Sequence, residues 1–224
     1  MNDRPFLDWS WIADHLSEIG RLTLDHIVLT GLAVGIGLAI SFPLAVMSYR
    51  RRWLYTPVTW VAGLLYTIPS LALFAFLVPL TGLSKLTAEI GLVSYTLLIL
   101  IRNIFVGLEG IPSDVKEAAR GMGHSSHQLL WRVEMPLALP AVVAGLRIAT
   151  VTTIGLVTVT AIITEGGLGD LILRGLRLVS GGSTLVVVGG GLSLILAIAA
   201  DAALLAIQRA LTPWSRRRTV GALG

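Results

Sequence analysis

Residues 27–47 read IVLTGLAVGIGLAISFPLAVM, twenty-one positions without an Asp, Glu, Lys or Arg. A hydrocarbon layer about 30 Å thick takes roughly 20 apolar helical residues, so this stretch is long enough to cross one. Four more stretches outward from it behave alike: 58–80, 90–108, 137–164 with Arg147 inside it, and 184–207 with Asp201 inside it. The whole chain agrees. Its 224 residues are 54% hydrophobic and 13% charged, with mean hydropathy +0.82, whereas soluble domains carry about 25% charged residues. The expectation is an all-α membrane protein with about five transmembrane helices. Pro69 and Pro79 are placed to kink or end the second stretch, which would create a sixth short segment; five is preferred.

Residues 1–24 mix six charged side chains with Trp9 and Trp11, without the basic-then-apolar order of a cleaved signal. Residues 1–26 are therefore expected to form an external amphipathic segment. Ten cationic residues (Arg50, Arg51, Arg52, Lys116, Arg120, Arg132, Arg209, Arg216, Arg217 and Arg218) fall on one side of the five spans, against Arg4, Arg21, Lys85, Arg174 and Arg177 on the other. The positive-inside rule puts the richer side in the cytoplasm, hence the N-terminus outside and the C-terminus inside. The net charge of +4 does not point to nucleic acid, and zero cysteines exclude disulfides, thiol nucleophiles and cysteine-ligated metals.

The loop 112–136 is the most informative stretch on the basic side. Ser113 is placed to cap a helix whose Val115, Ala118, Ala119 and Met122 share a face, and Gly121 and Gly123 would end it. A second short helix starting near Ser125 or Ser126 would carry Leu129, Leu130 and Val133 until Pro136 stops it. Such a hairpin suits a groove on another protein, or equally the headgroup layer.

The order Glu117-Ala118-Ala119, three residues, Gly123, nine residues, Val133, one residue, Met135-Pro136 resembles the EAA loop of permease subunits of bacterial ATP-binding-cassette importers, with Val for the usual Ile and Met for the usual Leu. Arg102-Asn103, residues 137–140 (Leu-Ala-Leu-Pro), Gly145-Leu146-Arg147 and residues 166–170 (Gly-Gly-Leu-Gly-Asp) look like the osmoprotectant branch, which takes glycine betaine, carnitine, choline or proline. The resemblance covers about residues 27–213. It implies a type I importer permease in the bacterial cytoplasmic membrane, working with cytoplasmic ATPase subunits, a second permease copy or paralogue, and an external solute-binding protein. Residues 112–136 would be the coupling loop, Glu117 making polar contacts and Gly123 allowing the turn. ATP and Mg would belong to the partner ATPase, with no cofactor on this chain. The two lysines, Lys85 after Ser84 and Lys116 after Val115, fit no phosphate-cradling loop.

Residues 165–182 form a glycine-rich external loop in which Gly166, Gly167, Gly169 and Asp170 suit a gate or a binding-protein contact, and in which a short helix would bury Leu171, Ile172, Leu173 and Leu176; a fixed cap is the alternative. Residues 179–183 read as a glycine turn. Gly167-Leu168-Gly169-Asp170 also fits the pattern of intramembrane aspartyl proteases, but no Tyr-Asp pair supplies a second aspartate. Counted along their spans, Arg147 and Asp201 lie at equal depth, which predicts an intramembrane ion pair between adjacent antiparallel spans, structural in preference to substrate-binding, with Arg102 as a competitor for Asp201. His124 and His127 lack a third metal ligand. Trp53, Trp60, Trp131 and Trp214 read as interfacial anchors. Gly31, Gly35, Gly37 and Gly189–Gly191 favour close helix packing. A methionine-type permease, or a channel-like or scaffolding protein without ATP coupling, are the remaining alternatives; the residues that bind solute are not legible.

Overall fold

A computed structural model describes residues 6–164, 166–178 and 181–213. Arg4, Glu165, Val179, Ser180, Trp214 and Arg216–Arg218 of the sequence readings lie outside them. The described residues form α1 (Trp9–Asp14), α2 (Leu16–Arg50), a 3-10 turn (Arg52–Leu54), α3 (Tyr55–Thr67), α4 (Ser70–Thr81), α5 (Lys85–Glu109), α6 (Ser113–Gly121), α7 (Ser126–Leu129), a π-helical turn (Leu130–Glu134), α8 (Met135–Thr160), α9 (Gly169–Arg177) and α10 (Gly182–Leu211). No strand occurs among them.

Among the described residues, four helical runs are long and apolar enough to cross a membrane: α2, α5, α7 through α8, and α10. The stretch 58–80 is not one straight span. Pro69 pushes Ile68 into an extended conformation (φ −65°, ψ 128°) and ends α3 at Thr67, so that α3 and α4 meet at 96°. The Tyr95 hydroxyl donates to the Ile68 carbonyl freed at the break. Pro79 lies inside α4 without ending it; Gly82 does, at φ 74°.

Residues 1–26 are divided differently from the expectation. Asp8 caps the one-and-a-half turns of α1, accepting from the Ser10 and Trp11 amides. From Leu16 onward the chain is already α2, since no strong helix breaker separates the amphipathic stretch from the apolar one. At 35 residues α2 is about 52 Å long, well beyond a hydrocarbon core.

α5 is central, packing on α2, α3, α4 and α8. One apolar cluster joins Leu100, Ile104 and Leu108 of α5 to Ala45 of α2 and Ala138, Val142 and Ala149 of α8. A second joins Leu92 and Ala88 to Leu29, Phe74 and Val157. Where α5 crosses α8, a Cβ on Gly145 would stand 2.4 Å from the Cβ of Asn103, so glycine sets that approach. Gly37 meets Thr96 in the same way, and Gly189 meets the Leu168 carbonyl. A Cβ on Gly31, Gly35, Gly190 or Gly191 would meet nothing within 4 Å in the single chain, so these glycines set no helix contact within it.

Candidate functional site

Three sets of polar residues stand out from this apolar frame: the hairpin between α5 and α8, the glycine loop leading into α9, and a charged pair midway along α8 and α10.

In the hairpin, Pro112 rather than Ser113 occupies the cap position of α6; Ser113 already has helical geometry and its hydroxyl donates to Asp114. Gly123 holds φ 83°, and a Cβ at this position would meet nothing within 4 Å, so its role is conformational. Ser125 and Gln128 form a reciprocal capping box at the start of α7. The expected stop at Pro136 does not occur. The π-helical turn widens the backbone ahead of the proline, around the Arg132 carbonyl with which its ring would otherwise clash, and the helix runs on through Pro136 and Pro140 into α8. Val133 lies in that turn, and Met135 packs on the inner apolar cluster.

Of the α6 face, only Ala119 is buried. Glu117 and Ala118 are exposed, as are Val115 (37%) and Met122 (72%). The base of the hairpin is tied down. The Tyr49 hydroxyl donates to Glu134, itself buried, at 2.7 Å, and Arg50 donates to the Ser126 carbonyl at 3.0 Å. Lys116 donates to the Leu108 carbonyl at 3.3 Å and its ammonium stands 5.2 Å from the centre of the Tyr49 ring, while Arg52 pairs with Glu109. A cavity of about 500 Å³ opens among these residues. No group of three metal-ligating side chains occurs among the described residues, His124 and His127 included.

At the opposite end, Gly166 and Gly167 take φ 118° and 73°, delivering Leu168 and Leu171 into a buried cluster with Ile19 and Leu22 of α2. Leu176 stays 69% exposed and Ile172 and Leu173 half-buried, so α9 sinks only one edge. Fully buried His26 of α2 pins the loop. Its Nδ1 accepts from the Leu168 amide at 3.2 Å and its Nε2 donates to the Ile154 carbonyl of α8 at 3.0 Å, which defines a neutral Nε2–H tautomer. Arg174 lies 2.9 Å from Glu18 and 3.2 Å from Asp170, a further bridge from α9 to α2.

Midway along the long helices, Arg147 holds Asp201 through two parallel bonds of 2.8 Å. Arg102 is exposed and is not the partner. Asp170 and Asp201 are each engaged by their own arginine, so they do not form the proton-sharing dyad an aspartyl protease needs.

Residues 31–213 match the family described as "Binding-protein-dependent transport system inner membrane component". The chain belongs to this family. It is accordingly an inner-membrane, multi-pass permease subunit that provides a translocation path, of a kind generally without catalysis of its own. The permease is 39% identical over 209 residues to the osmoprotectant import permease protein OsmW of Salmonella typhimurium, covering 91% of this chain and 96% of the relative. It is 34% identical to the choline transport system permease protein OpuBB of Bacillus subtilis (90% and 92% covered) and 35% identical to the carnitine transport permease protein OpuCB of Listeria monocytogenes (85% and 87%). In fold it is similar to the inward-facing MetNI methionine ABC transporter (TM-score 0.78, 22% identity, 92% of this chain and 100% of that one). An amino acid ABC transporter with histidines gives 0.76 at 14% identity, covering 91% and 98%.

Several parts of the permease escaped sequence reasoning. His26 stands beside Asp25 at the edge of an apolar run and resembles any interfacial polar residue, and nothing in the spacing links Tyr49 to Glu134 or Glu18 to Arg174. Asp8 followed by Ser10 and Trp11 was a readable cap signal.

Proposed function

We propose that this permease forms one half of the passage of an ATP-driven importer of small compatible solutes such as glycine betaine, choline, carnitine or proline. Residues 112–136 serve as the handle gripped by a cytoplasmic ATPase. The observation that carries this reading is the hairpin: α6 offers Val115, Glu117, Ala118 and Met122 to the outside while Tyr49–Glu134 and Arg50–Ser126 bind its base to α2 and α8. A displacement of α6 is then passed to the spans as a rigid-body movement rather than lost in a flexible loop. The solute class follows the names of the relatives, which span nearly their full length against this chain. In this reading the hairpin side is cytoplasmic, as the cationic residues favour, and the glycine loop with Gly166, Gly167, Gly169 and Asp170 faces an external binding protein. A second permease, identical or paralogous, completes the passage.

The test is uptake into proteoliposomes holding the permease, its ATPase and its binding protein. Glycine betaine or choline should accumulate only with ATP, and Glu117→Arg or Gly123→Leu should weaken ATPase association and cut uptake at least tenfold. Full uptake by both variants, or transport of methionine in place of these solutes, would refute the assignment.

A further inference from the structure

We propose that the Arg147–Asp201 pair is a solute-contact point on the wall of the passage, where Arg147 meets the carboxylate and Asp201 the quaternary ammonium of a zwitterion; this rests on the compatible-solute reading above. Depth is the first argument. Arg147 lies twelve residues into α8, about 18 Å, and Asp201 ten residues from the end of α10, about 15 Å, so both sit near mid-bilayer.

Exposure is the second. A clasp that merely joined two helices would be packed between them, yet the side chains remain 26% and 39% exposed in the single chain. Ionisable groups at this depth face protein or water, not lipid tails. The pair opens onto a cavity. Ala144, Ile148, Val151 and Thr152 share with the pair a cavity of about 430 Å³, large enough for a small osmolyte, and exposed Gly155 continues the same face of α8.

The chemistry fits both ends of such a solute. A quaternary ammonium has no hydrogen to donate, so it is recognised by an opposite charge beside apolar walls, here Asp201 with Ile148 and Val151. The guanidinium fork of Arg147 accommodates a carboxylate through two bonds, as it now holds Asp201. A zwitterion exchanging with the pair leaves neither charge unmatched, and the pair closes again when the solute moves on.

Glycine betaine carries both groups and choline only the cation, so the two probes separate the roles. In proteoliposomes with ATPase and binding protein, Arg147→Gln should lower the maximal rate of glycine betaine uptake tenfold or more and that of choline less than threefold. If Arg147→Gln does not purify because Asp201 is left unpaired, Arg147→Lys, which keeps the charge and loses the fork, should show the same split at smaller size. The double variant Arg147→Gln/Asp201→Asn removes both charges together and leaves neither unpaired; it should assemble and lose uptake of both solutes. Equal losses for the two solutes in the Arg147 variants, unchanged uptake, or failure of the double variant to assemble would overturn the site alone. A wild-type complex that moves neither probe would overturn the compatible-solute reading and the site with it.

Discussion

Replacing His26 by Leu removes the imidazole while filling about the same space, so packing is largely kept. What is lost is the acceptor for the buried Leu168 amide and the extra donor to the Ile154 carbonyl. The carbonyl has its ordinary helical partner to fall back on, whereas the amide has none, and an unsatisfied buried donor costs about 1–3 kcal/mol. Taking about 2 kcal/mol as the loss, the glycine loop should open about 30-fold more often, since each 1.4 kcal/mol is a factor of ten. Hydrogen–deuterium exchange of the purified permease reads this directly: peptides spanning 166–178 should exchange about 30-fold faster, with peptides from the middle of α5 unaffected. His26→Gln, whose amide can reach one of the two partners, should fall between. Exchange unchanged within twofold, or an equal rise throughout the chain, would show that His26 does not hold this loop.

Two further outcomes follow from the same structure. Tyr49→Phe leaves the buried Glu134 carboxylate without its donor, at a cost of about 2 kcal/mol; in the reconstituted importer, solute moved per ATP hydrolysed should fall several-fold, whereas an unchanged ratio would mean that the tie carries no motion. Gly145→Val places a side chain where a Cβ alone is 2.4 Å from Asn103, and overpacking of this order costs about 1–3 kcal/mol; the melting temperature of the purified protein should fall by several degrees, and an unaltered value would contradict the close crossing of α5 and α8.

Much of the fold was legible because lipid imposes it. Long runs with at most one charge read as spans; α2, α5 and α10 contain the stretches read from composition, and α8 holds all of 137–164 but its last four residues. The same logic failed at Pro69, because an apolar count is blind to direction and cannot tell a straight helix from two helices at 96°. It failed at Pro136 for a related reason: a proline stops a regular α-helix, and a π-helical turn ahead of it is not written in any residue type. For the site, equal depth along two helices was enough to suggest Arg147 beside Asp201, whose carboxylate lies 2.8 Å from the guanidinium. The ties made by His26, Tyr49 and Glu18 join residues 85 to 156 positions apart, and a single sequence carries no record of such pairings.

Because α2 is longer than the lipid layer is thick, it is a single girder reaching from one aqueous compartment to the other. Its first three turns are fastened to α9 by Glu18 and to the glycine loop ahead of α9 by His26, and its last turn to the hairpin by Tyr49 and Arg50. A helix resists stretching far better than flexing, so events at its two tips stay in step along its axis. Sideways compliance is concentrated at Pro43, about two turns before Arg50, where one backbone bond is missing. Swivelling of the hairpin-bound tip about that joint would let the hairpin rock while the far tip keeps its seat.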